Sequence, residues 1–265
     1  MPDASESPTL LLVAGMHRSG TSALCAALQA AGASFGSSLL DPLRGGNDEG
    51  FWDAETVGDI KERLLAAVDL AWYAVPADQA PVDWSAPQFD DLRGEAAAVI
   101  ERGFGSSPVQ AAKDPRFCLT LPLWLDAGSR CGTTVRVCAI SRSPLEVANS
   151  LHKRDGFPVG YGLRLYAAYH RLLALQAPAD TLDLDYESLL TDPAAALGEL
   201  AASLPLDAAT PELADAVRGD LRHQAVAGDG PLERAHGAPD GEALLAAVEL
   251  GYPRASTTRE LLDTL

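Results

Sequence analysis

The feature that most constrains the fold is the stretch "VAGMHRSGTSAL", residues 13–24, which lies between an apolar run and an Ala- and Leu-rich one. A strand, a glycine loop and a helix in this order direct several backbone N–H groups at one point, which favours an oxyanion. The pattern G-x-x-x-x-G-K-[ST] is matched by Gly15, Gly20 and Ser22, but Thr21 replaces its lysine. The loop therefore predicts an anion site without the cation that binds the β- and γ-phosphates of ATP.

Arg18 supplies positive charge from inside this loop instead. The planar guanidinium group suits two oxygens of one tetrahedral anion, whereas a lysine at the Thr21 position would follow a phosphate chain. The loop thus favours a single phosphate or a similar oxyanion over a triphosphate.

Four short apolar runs predict buried strands, at residues 9–14, 109–112, 134–141 and 181–186. Amphipathic or Ala- and Leu-rich stretches between and after them predict helices near residues 20–31, 53–68, 88–103, 117–127, 144–154, 160–177 and 193–204. Alternating strands and helices favour a parallel sheet with helices on both faces. We therefore predict an α/β, P-loop NTPase-like three-layer fold in a single domain of residues 1–265. Its core spans about 9–204, and residues 205–265 form an acidic extension.

Composition limits the classes of partner. The net charge of −17 argues against nucleic acid. Residues 113–171 differ from the rest, with nine Lys and Arg against four Asp and Glu, so this stretch is basic inside an acidic chain. It is either a solvated face or part of a pocket for a small, highly charged anion.

Targeting and metal-binding patterns are absent from the sequence. The apolar run after the acidic N-terminus is too short for a signal or membrane helix, which predicts a cytoplasmic protein without a membrane anchor. The four cysteines show no C-x-x-C pattern and no paired histidine spacing, so we expect reduced thiols and no zinc site.

Three motifs follow three predicted strands. The glycine loop follows the first strand, "KDPR" (113–116) the second and "SRSP" (141–144) the third. Ligands of parallel α/β sheets bind beyond the carboxyl ends of the strands. The three motifs are therefore expected to meet at one edge of the sheet.

Together these motifs resemble those of the sulfotransferases that use 3′-phosphoadenosine 5′-phosphosulfate (PAPS). "HRSGTSAL" resembles their 5′-phosphosulfate-binding loop, P-[KR]-[SA]-G-T-[TS], with His17 in place of proline. "SRSPLEVANSL" resembles their 3′-phosphate motif, in which a serine follows an arginine by eight residues, as Ser150 follows Arg142. "AAKDPR", "LDYESLLTDP" and "GNDEGFWD" resemble further segments of the family, the last with Asp53 where bacterial members more often have glutamate.

The resemblance implies a donor, a product and residue roles. The donor is PAPS, the product is adenosine 3′,5′-diphosphate, and no metal is required. Arg18 stabilises the bridging oxygen in the transition state, and Lys113 faces the sulfuryl group. The 5′-phosphate is bound by the loop residues His17, Arg18, Ser19, Gly20, Thr21 and Ser22. Arg142 and Ser150 bind the 3′-phosphate.

The acceptor must lose a proton to a general base. By motif match Asp53 is the first candidate, followed by Glu49 and Glu55; Asp53 could equally be the N-cap of the helix that follows. His17 and His152 are further possible proton acceptors. Arg116 could form an ion pair with Asp114, but we expect it to line the site.

Two other functions compete with the sulfotransferase. A P-loop nucleotide or metabolite kinase would use Asp114 as its Mg²⁺ carboxylate but lacks the loop lysine. A non-catalytic protein of the same fold would bind adenosine 3′,5′-diphosphate without turnover. For the sulfotransferase, the acceptor would be a hydroxyl or amine of a small molecule, carbohydrate, lipid or natural product.

Overall fold

A computed structural model describes residues 9–36, 39–40, 51–76 and 78–217. Its centre is a parallel sheet with strand order β4-β1-β5-β6. These strands span Thr9–Ala14 (β1), Val109–Lys113 (β4), Val135–Ser141 (β5) and Leu182–Asp185 (β6). Two short strands, Leu39–Leu40 (β2) and Phe51–Ala54 (β3), form a separate antiparallel pair.

Helices follow most strands. Their bounds are Thr21–Ala30 (α1), Glu55–Ala66 (α2), Asp90–Arg102 (α3), Phe117–Arg130 (α4), Pro144–Asp155 (α5), Val159–Gln176 (α6), Tyr186–Thr191 (α7), Pro193–Ala196 (α8), Gly198–Ser203 (α9) and Glu212–Ala216 (α10). A short 3₁₀ turn, Pro87–Phe89, precedes α3.

The central strands bury both of their faces. In β1, Leu10 and Leu12 face the core formed with α2 to α6, whereas Leu11 and Val13 face a second core formed with α1 and the helices after β6. Alternate side chains of a strand point to opposite faces, so a strand that is apolar throughout must be covered on both. The predicted three-layer α/β fold, a central parallel sheet with helices on both faces, is thus confirmed.

All four predicted central strands are present, each within one residue of its expected start. The fourth strand, predicted at 181–186, ends one residue early, at Asp185. The Asp185 side chain accepts the Ser188 N–H and caps helix α7, which was not predicted from the sequence. The predicted helix at 193–204 is divided into α8 and α9 at Leu197.

Residues beyond the predicted core boundary at 204 also pack on the sheet. Leu206, Leu213 and Val217 are buried in the second core. The rest of the predicted acidic extension, residues 218–265, lies outside the described residues. None of the helices described is both long enough and apolar enough to cross a membrane.

The packing of α4 on β5 generates a prediction about two helical glycines. A Cβ at Gly128 would lie 2.2 Å from Val135 Cγ2, whereas a Cβ at Gly94 on α3 would meet nothing within 4 Å. We expect Gly128→Ala to lower the free energy of unfolding by about 1–3 kcal/mol through overpacking. Gly94→Ala should raise it by about 0.5–1 kcal/mol because alanine loses less backbone entropy. Urea unfolding of both variants measures this. Equal stability of the two would contradict the close approach of α4 to β5.

Candidate functional site

The glycine loop connects β1 to α1 at the carboxyl edge of the sheet. Ser19 N–H donates to the Met16 carbonyl at 3.1 Å, closing a turn in which Arg18 has a φ of 71°. Gly20 is the N-cap of α1 in the left-handed region, with a φ of 92°. Gly20 has no side chain with which to cap this helix, and the first turn of the helix holds no acidic residue. The positive end of the helix is thus left for an anion.

Arg18, Arg142 and Ser150 meet above this loop. Arg18 Nε donates to Ser150 Oγ at 2.8 Å, and Arg142 Nη1 lies 3.4 Å from the Arg18 carbonyl oxygen, toward which it donates. Arg142 follows β5 directly and Ser150 lies two turns along α5, which begins at Pro144. Two motifs more than a hundred residues apart are therefore joined at one point.

The Arg142 side chain is buried and held by two neighbours. Its Nε donates to Glu146 at 2.7 Å, and its guanidinium carbon lies 4.6 Å from the centre of the Tyr186 ring. The Tyr166 hydroxyl donates to the backbone carbonyl oxygen of Arg142 at 2.7 Å. Arg142 Nη2 is buried and has no hydrogen-bond partner among the described residues. A fixed arginine with one unused donor is suited to bind an oxyanion.

Tyr186 also contacts the glycine loop. A Cβ on Gly20 would lie 2.2 Å from Tyr186 Cδ2, so only glycine allows the ring to lie there. The same ring stacks on Arg142. Tyr186 therefore sets the spacing between the loop and Arg142. The sequence analysis quoted the segment around this residue but assigned it no role.

Two further polar atoms at the loop are buried without a partner in the described part of the chain. They are Ser19 Oγ and His17 Nε2. The His17 ring centre lies 4.5 Å from that of Trp72 and 6.1 Å from that of Tyr169. Burial, followed by the positive charge of Arg154, holds the pKa of His17 well below its ordinary value, so the ring is neutral at pH 7.

Positive charge is concentrated around Arg18. Burial, followed by repulsion from Arg154 and Arg142, lowers the pKa of Arg18 from its ordinary value. An arginine remains charged despite such a shift. Arg142 and Arg154 thus lie close enough to Arg18 to repel it, and a bound anion would offset this repulsion.

Lys113 ends β4 beside the loop, where it pairs in register with Val13 of β1 and is buried. The next residue, Asp114, is fully buried and bound on both of its carboxylate oxygens. Arg116 donates to Oδ1 through Nε at 2.9 Å and to Oδ2 through Nη2 at 2.7 Å. Of the two possibilities for Arg116, the ion pair is observed, and its Nη1 reaches Glu62 as well.

Lys61 of α2 was missed by the sequence analysis. Its side chain is fully buried, with Nζ 3.6 Å from Asp114 Oδ2 and 3.1 Å from the centre of the Phe117 ring. A lysine four residues after Val57 and three before Leu64 lies on the apolar face of a helix, and this spacing is the signal that could have revealed it.

The candidates for the general base lie mostly outside the described side chains. Asp53 lies in β3, which packs beside β4, and the residue that precedes helix α2 is Ala54 rather than Asp53. Glu55 is the first residue of α2, and Glu49 is outside the described residues. His152 Nδ1 lies 2.8 Å from the Phe157 carbonyl oxygen, so that nitrogen carries a proton and donates.

No group of three or more His, Cys, Asp or Glu side chains with metal-binding geometry occurs among the described residues.

Comparisons with known proteins place the chain near solved sulfotransferase structures. It is similar to the sulfotransferase domain from the curacin biosynthetic pathway, with 17% identity, coverage of 84% of this chain and 82% of that one, and a TM-score of 0.42. It is also similar to the sulfotransferase domain from the Synechococcus PCC 7002 olefin synthase, with 17% identity, 100% and 97% coverage, and a TM-score of 0.45. A third such structure is a sulfotransferase from Mycobacterium tuberculosis H37Rv, with 15% identity, 88% and 77% coverage, and a TM-score of 0.37. No protein-family model and no curated protein matches the chain.

The buried pair of Lys61 and Asp114 generates a prediction about stability. Lys61→Met should lower the free energy of unfolding by about 3 kcal/mol, because it leaves Asp114 buried with less positive charge around it. Arg63→Met is the matched control on the same helix, since Arg63 forms an exposed pair with Glu95. Arg63→Met should lower the free energy of unfolding by less than about 1 kcal/mol. Similar losses in the two variants, measured by urea unfolding, would argue against a buried pair.

Asp114 should also make stability depend on pH. Burial alone would raise its pKa, but the charges of Lys61 and Arg116 and the hydrogen bonds from Arg116 hold the pKa below its ordinary value of 3.8. The stabilisation is then complete above pH 3.8 and is lost as the pH falls below it. We expect Asp114→Asn to be less stable than the wild type at pH 7 and this difference to shrink below pH 3.8. A difference that stays constant in unfolding experiments between pH 7 and pH 3 would show that the charge is unimportant.

Proposed function

We propose that this protein is a sulfotransferase that transfers the sulfuryl group of PAPS to the hydroxyl of an acceptor. The observation that carries the proposal is the meeting of two anion-binding motifs through Arg18, which binds Ser150 with its side chain and Arg142 with its carbonyl oxygen. A ligand suited to this arrangement has two anionic groups, one for the glycine loop and one for Arg142. PAPS has a 5′-phosphosulfate and a 3′-phosphate.

The polar atoms present fit such a donor. The buried, unused Nη2 of Arg142 is directed by Glu146 and Tyr186, and Ser150 Oγ still has a proton to donate after it accepts from Arg18. These two groups would bind the 3′-phosphate. The backbone N–H groups at the start of α1, together with Ser19, Thr21 and Ser22, would bind the 5′-phosphate.

The missing loop lysine is explained by the same donor. PAPS has no β–γ phosphate chain, so a lysine at the position of Thr21 would have no phosphate to bind there. Thr21 is buried instead at the first turn of α1.

The reaction needs charge stabilisation and a proton acceptor. The acceptor oxygen forms a bond to sulfur while the bond between sulfur and the bridging oxygen of the 5′-phosphate breaks. Adenosine 3′,5′-diphosphate leaves, and the acceptor proton passes to a base, for which Asp53 remains our first candidate. Arg18 and Lys113 would stabilise the charge that develops on the bridging and sulfuryl oxygens. Arg18 would have to turn from Ser150 toward the 5′ end to do so.

The kinase alternative is disfavoured by Asp114. Both of its carboxylate oxygens are bound by Arg116, and Lys61 lies close to one of them. A carboxylate so occupied has no free oxygen for Mg²⁺. A catalytic lysine is also missing from the loop. Binding of the nucleotide without turnover remains the alternative that only an activity measurement with labelled PAPS can separate.

Calorimetric titration with adenosine 3′,5′-diphosphate and with 5′-AMP tests the proposal. Loss of a charge-assisted contact costs about 1.5–3 kcal/mol, so Arg142→Ala should weaken binding of the diphosphate roughly ten- to hundredfold. Binding of 5′-AMP should change little, because this ligand lacks the 3′-phosphate. Arg136→Ala is the matched control. Arg136 lies near the start of β5, the strand that Arg142 follows, and it pairs with Asp180. Its loss should leave the affinities for both nucleotides unchanged.

Tighter binding of ATP–Mg²⁺ than of adenosine 3′,5′-diphosphate would overturn the proposal in favour of a kinase. Equal weakening of the diphosphate and of 5′-AMP in Arg142→Ala would show that Arg142 is not at the 3′-phosphate.

A further inference from the structure

A pocket at helix α6 has the properties of an acceptor site. It lies between residues 74–76 and helix α6, has a volume of about 320 Å³, and is lined by Ala74, Val75, Pro76, Tyr161, Arg164 and Leu165. Most of its lining is apolar, and Arg164 is the charged residue. Small-molecule sites commonly combine an apolar wall with a few polar groups that fix orientation.

The wall opposite α6 is held in place by hydrogen bonds from that helix. The Tyr161 hydroxyl donates to the Tyr73 carbonyl oxygen, and the Tyr169 hydroxyl donates to that of Trp72 at 2.7 Å. Residues 70–76 are therefore fixed along α6 although they contain no helix and no strand. The pocket between them is a preformed feature of the fold.

A row of aromatic rings connects the pocket to the anion site. His17 of the glycine loop lies 4.5 Å from Trp72, Trp72 lies 6.0 Å from Phe157, and Phe157 lies 5.5 Å from Tyr161 at the pocket, all between ring centres. The row runs from the glycine loop to Tyr161, which lines the pocket together with Arg164. The guanidinium carbon of Arg154 lies 5.4 Å from the centre of the Trp72 ring within this row.

Arg164 has no counter-charge among the described residues. The side chain is exposed and makes no hydrogen bond or ion pair with any residue in the described part of the chain. Nearby arginines differ, since Arg154 pairs with Asp155 and Arg171 donates to the Gln79 carbonyl oxygen. An arginine that lines a pocket with its donors unused can recognise a carboxylate through two parallel hydrogen bonds.

We infer that the acceptor is an elongated hydroxy acid, with an apolar body between its hydroxyl and an anionic group. The hydroxyl lies at the anion site, the body follows the aromatic row, and the anionic group binds Arg164. This inference rests on the proposed function for the role of the hydroxyl. The pocket and its preference for an anion do not depend on the identity of the donor.

Binding of ω-hydroxydecanoate and of the uncharged decane-α,ω-diol tests the inference, measured by calorimetry or saturation-transfer NMR with and without adenosine 3′,5′-diphosphate. The acid should bind about five- to tenfold more tightly than the diol. This difference in affinity should decrease at high salt, because salt screens the charge of an exposed arginine. Arg164→Gln should remove this difference without changing the affinity for the diol or for the nucleotide.

Two controls separate the pocket from general charge and from the donor site. Arg130→Gln removes an exposed arginine of α4 that pairs with Asp126 and should leave the preference for the acid intact. Ala74→Trp should fill the pocket and weaken both probes while the nucleotide still binds.

Equal affinity of the wild type for the acid and the diol, or a preference that survives in Arg164→Gln, would overturn the inference. Failure of the nucleotide to bind would overturn the proposed function alone, since the comparison of acid and diol is also made without it.

Discussion

The contact between Gly20 and Tyr186 is the constraint on which the anion site depends. Because Gly20 has no side chain, the Tyr186 ring can lie against the glycine loop, and its face then supports the guanidinium of Arg142. The segments that follow β1, β5 and β6 thereby contact one another. A cation stacked on an aromatic ring loses little orientation freedom when it binds a ligand.

Two buried cations, Arg142 and Lys61, each lie beside a carboxylate. Glu146 binds one edge of Arg142, and Asp114 binds Arg116 and lies close to Lys61. The two carboxylates differ in their effect. Asp114 is enclosed by cations and anchors α2 to the end of β4, whereas Glu146 leaves Nη2 of Arg142 without a hydrogen-bond partner among the described residues. A chain with a net charge of −17 can in this way present a positively charged site to a small anion.

The fold was largely predictable because its signals are local. Apolar runs bounded by turn residues indicated the central strands, and the glycine loop indicated the first strand–helix connection. Helix α7 was missed because its start depends on one capping side chain, Asp185. The site was predictable only in part. Lys61 and Tyr186 act through contacts with residues distant in sequence, and no short motif records such contacts. The ion pair of Arg116 with Asp114 likewise could not be predicted, because it depends on where the fold places the Asp114 side chain.

The conformation of Arg18 bears on the ligand that the proposed function requires. Its backbone has a positive φ, which costs a non-glycine residue on the order of 1–3 kcal/mol and persists only where the surroundings impose it. Here the turn from Met16 to Ser19 and the bond to Ser150 impose it. The Arg18 guanidinium is therefore held at Ser150 of α5, where Arg142 and Arg154 repel it. In the proposed function, the anionic groups of the donor would offset this repulsion.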